Sequence, residues 1–308
     1  MLTDKPFTQV DIHPDVNRAL VRGGAVVALE STIITHGMPY PANNDMAAKV
    51  EAIVEAEGAV PATIAVMDGR LKIGLSDGER AALATTPGAM KLSRADLPFA
   101  ISERRTGGTT VAATMIAAHL AGIRVFATGG IGGVHKGAES SFDISADLDE
   151  LARTPVIVVS AGAKAILDIH KTLEVLETRG VPVVGYGADV MPAFWSRHSD
   201  FPAPLRLDSA EAIARFQKTR EELGISGGML IANPVPEADE IPAARMRGFI
   251  EAAQRAANES GVSGKAVTPF LLQKILELSE GASLKTNIAL VENNARLAAK
   301  IARALAAS

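Results

Sequence analysis

The feature that most constrains this chain is a recurring short apolar run rich in β-branched residues. It appears at Gly24–Leu29, Ile123–Ala127, Val156–Val159, Val181–Gly185 and Gly228–Ala232. Each run is too short for a helix of ordinary length and reads as a strand buried on both faces. Between the runs lie segments of helical length, at Asp45–Glu57, Val111–Ala121, Ala165–Thr178, Ser209–Leu223 and Pro242–Glu259. Strands alternating with helices predict a mostly parallel sheet covered on both faces. One interruption is expected. Thr63–Met67, Asp68-Gly69 and Leu71–Gly74 read as a β-hairpin, so the sheet is mixed. Ser76 and Glu79 have the spacing of a capping box, and Asn43-Asn44 offers a cap for the helix that follows. Ser145 caps a short helix to about Arg153, and the chain closes with helices over Thr268–Ser279 and Ser283–Ala307. The segment Asp189–Pro204 lacks periodicity and reads as a surface loop or an oligomer contact.

Composition fits this architecture and excludes several function classes. Hydrophobic residues make up 47% of 308 and aromatics only 4%, so the core is aliphatic. A net charge of −4 leaves no electrostatic footprint for nucleic acid. There is no cysteine, which removes disulfides, thiolate metal sites and cysteine nucleophiles. No apolar run reaches membrane-spanning length, and the opening MLTDKPFTQVDIHPDV is polar and unlike a signal peptide. With no linker or repeat, residues 1–308 are expected to form a single domain of a cytoplasmic protein.

Chemistry concentrates where the runs end. Ala127–Asp147, ATGGIGGVHKGAESSFDISAD, packs glycines at 129, 130, 132 and 133 against His135, Lys136, Asp143, Ser145 and Asp147. Glycine permits close backbone approach or positive φ, and polar groups this dense are either solvated or paired. Glu30 directly follows the first apolar run. Lys164 lies in the turn after the run at Val156–Val159, where it reads either as an amine freed for attack by partial shielding from water or as a phosphate-binding or snorkelling lysine. Arg104-Arg105 and Gly107-Gly108-Thr109-Thr110 precede a helix and offer amides and cations to an anion. Lys91 and Asn287, taken alone, read as surface residues. The glycine loop matches neither the P-loop, since Lys136 is followed by Gly137, nor the dinucleotide fingerprint, since the third glycine is replaced by His135. No serine-hydrolase elbow is present. His135, Asp143 and Asp147 form the one metal-like cluster, suited to a hard ion such as Mn²⁺ or Mg²⁺. The residues alone therefore imply a metal-assisted site for a phosphorylated small molecule, with a candidate nucleophilic lysine.

Several motifs resemble one family. These are Glu30-Ser31-Thr32-Ile33-Ile34-Thr35-His36-Gly37-Met38-Pro39-Tyr40-Pro41, Arg105-Thr106-Gly107-Gly108-Thr109-Thr110-Val111, Thr128-Gly129-Gly130-Ile131-Gly132-Gly133-Val134-His135, Phe142-Asp143-Ile144-Ser145-Ala146-Asp147-Leu148 and Ser160-Ala161-Gly162-Ala163-Lys164. Gly185-Tyr186-Gly187, Ile231-Ala232-Asn233-Pro234 and Thr268-Pro269-Phe270-Leu271-Leu272 extend the match along the chain. Together they resemble pseudouridine-5′-phosphate glycosidases, the family related to indigoidine synthase A. The resemblance implies a three-layer α/β/α fold with a mixed, mostly parallel central sheet, a homotrimer, and Mn²⁺-assisted reversible cleavage of pseudouridine 5′-phosphate to uracil and ribose 5-phosphate. It implies Lys164 as nucleophile through a lysine imine, Glu30 as proton donor and Asp143 as metal ligand. It implies substrate contacts at Lys91, Val111, Ser145, Ala146 and Asp147, with Thr128, His135 and Asn287 as pocket residues. Arg105, beside Lys91, is a candidate for the phosphate. Departures fall at Ala42, where the family often has Gln, and at Trp195 and His198 in a Phe-Tyr-x-Arg-Glu-like segment.

Overall fold

The computed structural model describes residues 8–262 and 267–307. The opening residues 1–7, part of the stretch read above as polar, lie outside them. Strand β1 (Val10–Ile12) and helix α1 (Pro14–Val21) come first, then β2 (Val26–Leu29). Helices α2 (Thr32–His36) and α3 (Ala42–Ala56) lead into the hairpin β3 (Val60–Met67) and β4 (Arg70–Ile73). Next are α4 (Asp77–Thr85), β5 (Met90–Leu92), α5 (Asp96–Ser102), β6 (Gly107–Thr109), α6 (Val111–Leu120) and β7 (Val125–Ala127). The glycine loop carries β8 (Val134–His135), α7 (Ala138–Ser141) and α8 (Ala146–Arg153). Then come β9 (Ile157–Ser160), β10 (Leu167–Asp168), α9 (Ile169–Thr178), β11 (Val183–Tyr186), β12 (Leu205–Leu207), α10 (Ala210–Glu222) and β13 (Met229–Ala232). Helices α11 (Ala243–Glu259), α12 (Val267–Leu278) and α13 (Ala282–Ala306) finish the chain.

Every apolar run read from the sequence contributes a strand to one sheet, in the order β1-β4-β3-β2-β7-β9-β13-β11-β12, with β6 on β3 and β5 on β6. The stretch from β3 through β2, β7, β9, β13 and β11 to β12 is parallel throughout. The hairpin and the β3–β6 pair are antiparallel. Asp68 and Gly69 both take positive φ, as a two-residue hairpin turn needs. Helix α13 packs on α3 and α10 and against β2, β7 and β9; α6 packs on α8 and against β3 and β7 from elsewhere on the sheet. The result is a three-layer α/β/α fold whose centre is largely β-branched and aliphatic, with Val27, Val158 and Ile231 fully buried beside the aromatic ring of Phe126. No helix among the described residues is long and apolar enough to cross a membrane.

Three local expectations are corrected. Asn43 does not cap its helix. It lies inside α3, which starts after Pro41, and its buried amide donates to the carbonyls of Ile34 at 2.7 Å and Ala84 at 2.9 Å. The helix expected from Ala165 begins only at Ile169, because Leu167–Asp168 pairs with Val134–His135 and Asp168 caps α9 through the Lys171 amide. Asp189–Pro204 is not merely a surface loop. Phe194 and Trp195 are buried, and the Trp195 indole donates to the Ser283 carbonyl at 3.0 Å, pinning the segment to the start of α13.

Candidate active site

Register places the site. Leu29 pairs with Ala127, Ala127 with Val159, and Ser160 with Ala232. The residues at the carboxyl ends of neighbouring strands therefore form a polar row: Glu30, Thr128, Ser160 and Asn233. The carboxyl end of a parallel sheet is where chain crossings leave room for a ligand. Glu30 is held from both sides, by the hydroxyl of Thr32 on one carboxylate oxygen and that of Thr128 on the other.

The glycine loop continues from Thr128 and runs alongside the segment after β9. Ile131 and Lys164 exchange backbone bonds with Gly162 and Ile131, respectively, at 3.1 Å each. This zipper carries Lys164 back towards Glu30. None of glycines 129, 130, 132 and 133 adopts positive φ. Their common property is close packing. A Cβ would meet Val291 and Leu290 at position 129, the Phe194 ring at 2.6 Å at position 130, Ser145 Oγ at position 132, and Thr172 Oγ1 at position 133. The glycines thus let α13, the Phe194 segment, α8 and α9 all close onto one short stretch of backbone.

Asp147 explains the tightest of these contacts. Its buried carboxylate accepts the amide of Ala112 at 2.9 Å, in the first turn of α6, and that of Gly132 at 2.8 Å. Ser145 caps α8 beside it. Two helix N-termini and the loop are thereby tied at one carboxylate. Replacing Asp147 with asparagine leaves one of those amides facing an NH₂ group. The variant is expected to lose about 2 kcal/mol, read as a fall in denaturation midpoint with unchanged m-value. An unchanged midpoint would show that Asp147 is not the tie.

Two cavities meet at Glu30, Thr32, Lys91 and Lys164, which line both. The first, of about 160 Å³, is walled by Met38, Phe194, Trp195, Leu272 and Val291, with His36 and Asn287 as polar features. The second, of about 350 Å³, is lined by Thr110, Val111, His135, Asp143, Ser145, Ala146 and Asp147. Each contains a buried oxygen with no hydrogen-bond partner among the described residues, Asn287 Oδ1 in the first and Thr110 Oγ1 in the second. Unpaired buried oxygens are costly, and a bound water, ion or ligand satisfies them.

Burial disfavours the charged form of both imidazoles at the site. Burial, then the charge of Lys91, holds His36 below its usual value. For His135 burial is also the main cause; Asp143 opposes it, and Lys164 and Lys91 add to it. His135 Nδ1 stands 3.9 Å from Asp143 Oδ2, and the Asp143 side chain is 41% exposed.

The structure gathers most of the sequence-derived site residues: Glu30, Lys91, Val111, His135, Asp143, Ser145, Ala146, Asp147, Lys164 and Asn287 line the paired cavities, and Thr128 lies buried behind Glu30. Arg105 stands apart. Its carbonyl accepts the Gly69 amide at the hairpin turn, whereas Thr110 faces the site. The two lie at opposite ends of β6, separated by roughly 15 Å at strand rise. His135, Asp143 and Asp147 do not converge, since Asp147 is committed to two amides, and among the described residues no three acidic or imidazole groups form a metal-holding set. Residues that sequence reasoning missed include Thr32, Thr110, Phe194 and Asn294. Thr32 and Thr110 stood in the family-like motifs and Phe194 in the Phe-Tyr-x-Arg-Glu-like segment, but the burial of Phe194 depends on tertiary packing.

Comparison with known proteins places the chain. The family described as indigoidine synthase A like protein matches residues 15–304. A pseudouridine-5′-phosphate glycosidase of Mesorhizobium japonicum is 74% identical across 98% of this chain and 99% of its own length. One of Dinoroseobacter shibae is 66% identical across 96% and 97%. Among solved structures, the prealnumycin C-glycosynthase AlnA in complex with ribulose 5-phosphate superposes with a TM-score of 0.91 at 37% identity over 98% of each chain. An indigoidine synthase A-like protein from Thermotoga maritima gives 0.87 at 33% identity over 96% of each. With a family match over residues 15–304 and relatives this similar across nearly their whole length, this chain belongs to the indigoidine synthase A-like family.

Proposed function

We propose that this protein catalyses the reversible cleavage of the C–C glycosidic bond of pseudouridine 5′-phosphate, giving uracil and ribose 5-phosphate. The observation that carries the reading is the seam between the cavities. An amine, Lys164, and a carboxyl group, Glu30, both line it. The polar half, with Lys91 and the N-termini of α6 and α8, suits a phosphate. The apolar half, with the unpaired Asn287 oxygen, suits a flat base carrying amide groups. The reacting carbon then lies at the seam. AlnA's name describes a C-glycosynthase, but its identity of 37% is half that of the Mesorhizobium glycosidase, which favours cleavage of the nucleotide as the reading.

A C–C glycoside has no heteroatom leaving group, so a pair of carboxylates is insufficient. In the proposed sequence the Lys164 amine bonds to C1′ as the C1′–O4′ bond breaks, and O4′ takes a proton. Glu30 then delivers a proton to uracil C5. The C1′–C5 electron pair leaves with the base, and the nitrogen lone pair forms the C1′=N imine. Water adds to the imine, releasing ribose 5-phosphate and free Lys164. Substrate plus water thus balance uracil plus ribose 5-phosphate. The two threonines aim Glu30, and burial disfavours the charged forms of His36 and His135, which line the same cavities.

For a divalent ion such as Mn²⁺, the donor set fits a loose mode of binding. Asp143 offers one partly exposed carboxylate beside the His135 imidazole, which suits a hard ion completed by water and substrate oxygens rather than a closed cage. When bound, the ion would orient and polarise substrate groups. The test is uracil release from pseudouridine 5′-phosphate before and after chelation, with Mn²⁺ restored. We expect release with metal, loss of at least tenfold on chelation, and recovery. No release from this nucleotide under any metal would overturn the function; release indifferent to chelation would remove the ion alone.

A further inference from the structure

We propose that Asn294 is a positioning residue that fixes Glu30 for proton delivery, acting through the main chain at Thr128. This rests on the reading of Glu30 as the proton donor. Asn294 lies in α13, two turns beyond Asn287 and on the same face, and has no exposed surface. Around it Leu290, Val291, Ala295, Leu297 and Ala298 are buried and apolar. A buried amide is costly in such surroundings unless its groups are paired. Here they are: Nδ2 donates to the Thr128 carbonyl at 2.8 Å, and Oδ1 accepts from Asn233 Nδ2 at 3.0 Å.

These partners give the bond more than a structural reach. Thr128 and Asn233 end β7 and β13, on either side of β9, so Asn294 spans the polar row over Ser160. The Asn233 backbone is itself fixed, because its amide donates to the Ser160 carbonyl at 2.8 Å. Donation from Asn233 also decides which end of the Asn294 amide faces Thr128. The Thr128 carbonyl is thus anchored to the helix layer, while its hydroxyl donates to Glu30. The chain of bonds runs Asn233, Asn294, Thr128, Glu30. A drift of Thr128 towards its freed carbonyl would move one of the two clasps on the carboxylate, and proton transfer is sensitive to shifts of that kind.

The test measures steady-state uracil release and thermal unfolding for Asn294→Asp, Asn233→Ala and Thr128→Val, alone and combined. An aspartate at 294 still accepts from Asn233 but cannot donate to the Thr128 carbonyl. Expected for Asn294→Asp is a kcat reduced about 10- to 100-fold, within the range of a misplaced general acid, with KM within about threefold. Asn233→Ala should act in the same direction but more weakly. The Thr128→Val/Asn294→Asp double variant should be no slower than Thr128→Val, because both act along one chain. Folded variants with lowered melting temperature but unchanged kcat, or an additive double variant, would overturn the proposal. If Asn294→Asp does not fold, Asn233→Ala paired with Thr128→Val provides the same cycle and decides the same question. Glu30→Gln in the same assay separates the two levels. Wild-type turnover there would remove the donor reading, whereas a slow Glu30→Gln beside an unaffected Asn294→Asp would remove only the role of Asn294.

Discussion

Substituting alanine for Lys164 is expected to stop uracil release from pseudouridine 5′-phosphate, with turnover reduced by roughly 10⁴-fold or more, as when the nucleophile of a covalent mechanism is deleted. The fold should survive. Residue 164 is held by its backbone amide on the Ile131 carbonyl, a bond that alanine keeps, and the side chain is only half-buried. Ribose 5-phosphate with borohydride should leave the reduced sugar attached to the wild-type chain, on the peptide that contains Lys164. The alanine variant should stay unmodified. Two results would end the imine reading: turnover of the variant within tenfold of wild type, or an adduct on another lysine. Lys91 is the informative alternative, because it borders the same seam.

Glu30→Gln is expected to lower kcat by roughly 10²- to 10⁴-fold, the range lost with a positioned general acid. The amide is nearly isosteric, and its oxygen can still accept from one of the two threonine hydroxyls. KM should therefore change little. The two halves of the reaction should come apart in this variant. Capture of ribose 5-phosphate by Lys164 needs no proton on uracil C5, so the borohydride adduct should still form while uracil release is slow. Loss of both would place Glu30 in the addition step, and retention of both would dismiss it from the chemistry.

Much of this was legible in the sequence for a simple reason. Strands buried on both faces must be continuously apolar, so β2, β7, β9, β11 and β13 announce themselves, and polar residues directly after them fall at one end of the sheet. Glu30 and Lys164 could be marked as candidates on that ground, but their roles as donor and nucleophile came from the family motifs. What was not legible depends on partners far away in the chain. Trp195 sits in a stretch without periodicity, and its burial is decided by Ser283. Asn294 looks like any polar position on a long helix until β7 and β13 are laid side by side. Asn43 has the right chemistry for a cap, but the helix begins one residue earlier, at Ala42, and the Asn43 side-chain amide donates to the carbonyls of Ile34 and Ala84. Arg105 adjoins a site motif in sequence, yet an intervening strand carries it to the opposite end. The glycines of the loop signalled a special backbone, but the requirement proved to be room for neighbours rather than a left-handed turn.

The bond between Asn294 and Thr128 joins residues 166 apart, and the clasp of Thr128 on Glu30 spans 98. Closing loops of that size is entropically unfavourable and is compensated only when the intervening strands are in place. No local fragment, hairpin or isolated helical pair can hold Glu30 and Lys164 at a shared seam. A half-folded chain therefore exposes its apolar strands without acquiring any reactive site. Regained turnover during refolding is accordingly a late signal, marking the closure of the whole sheet rather than the formation of any one part of it.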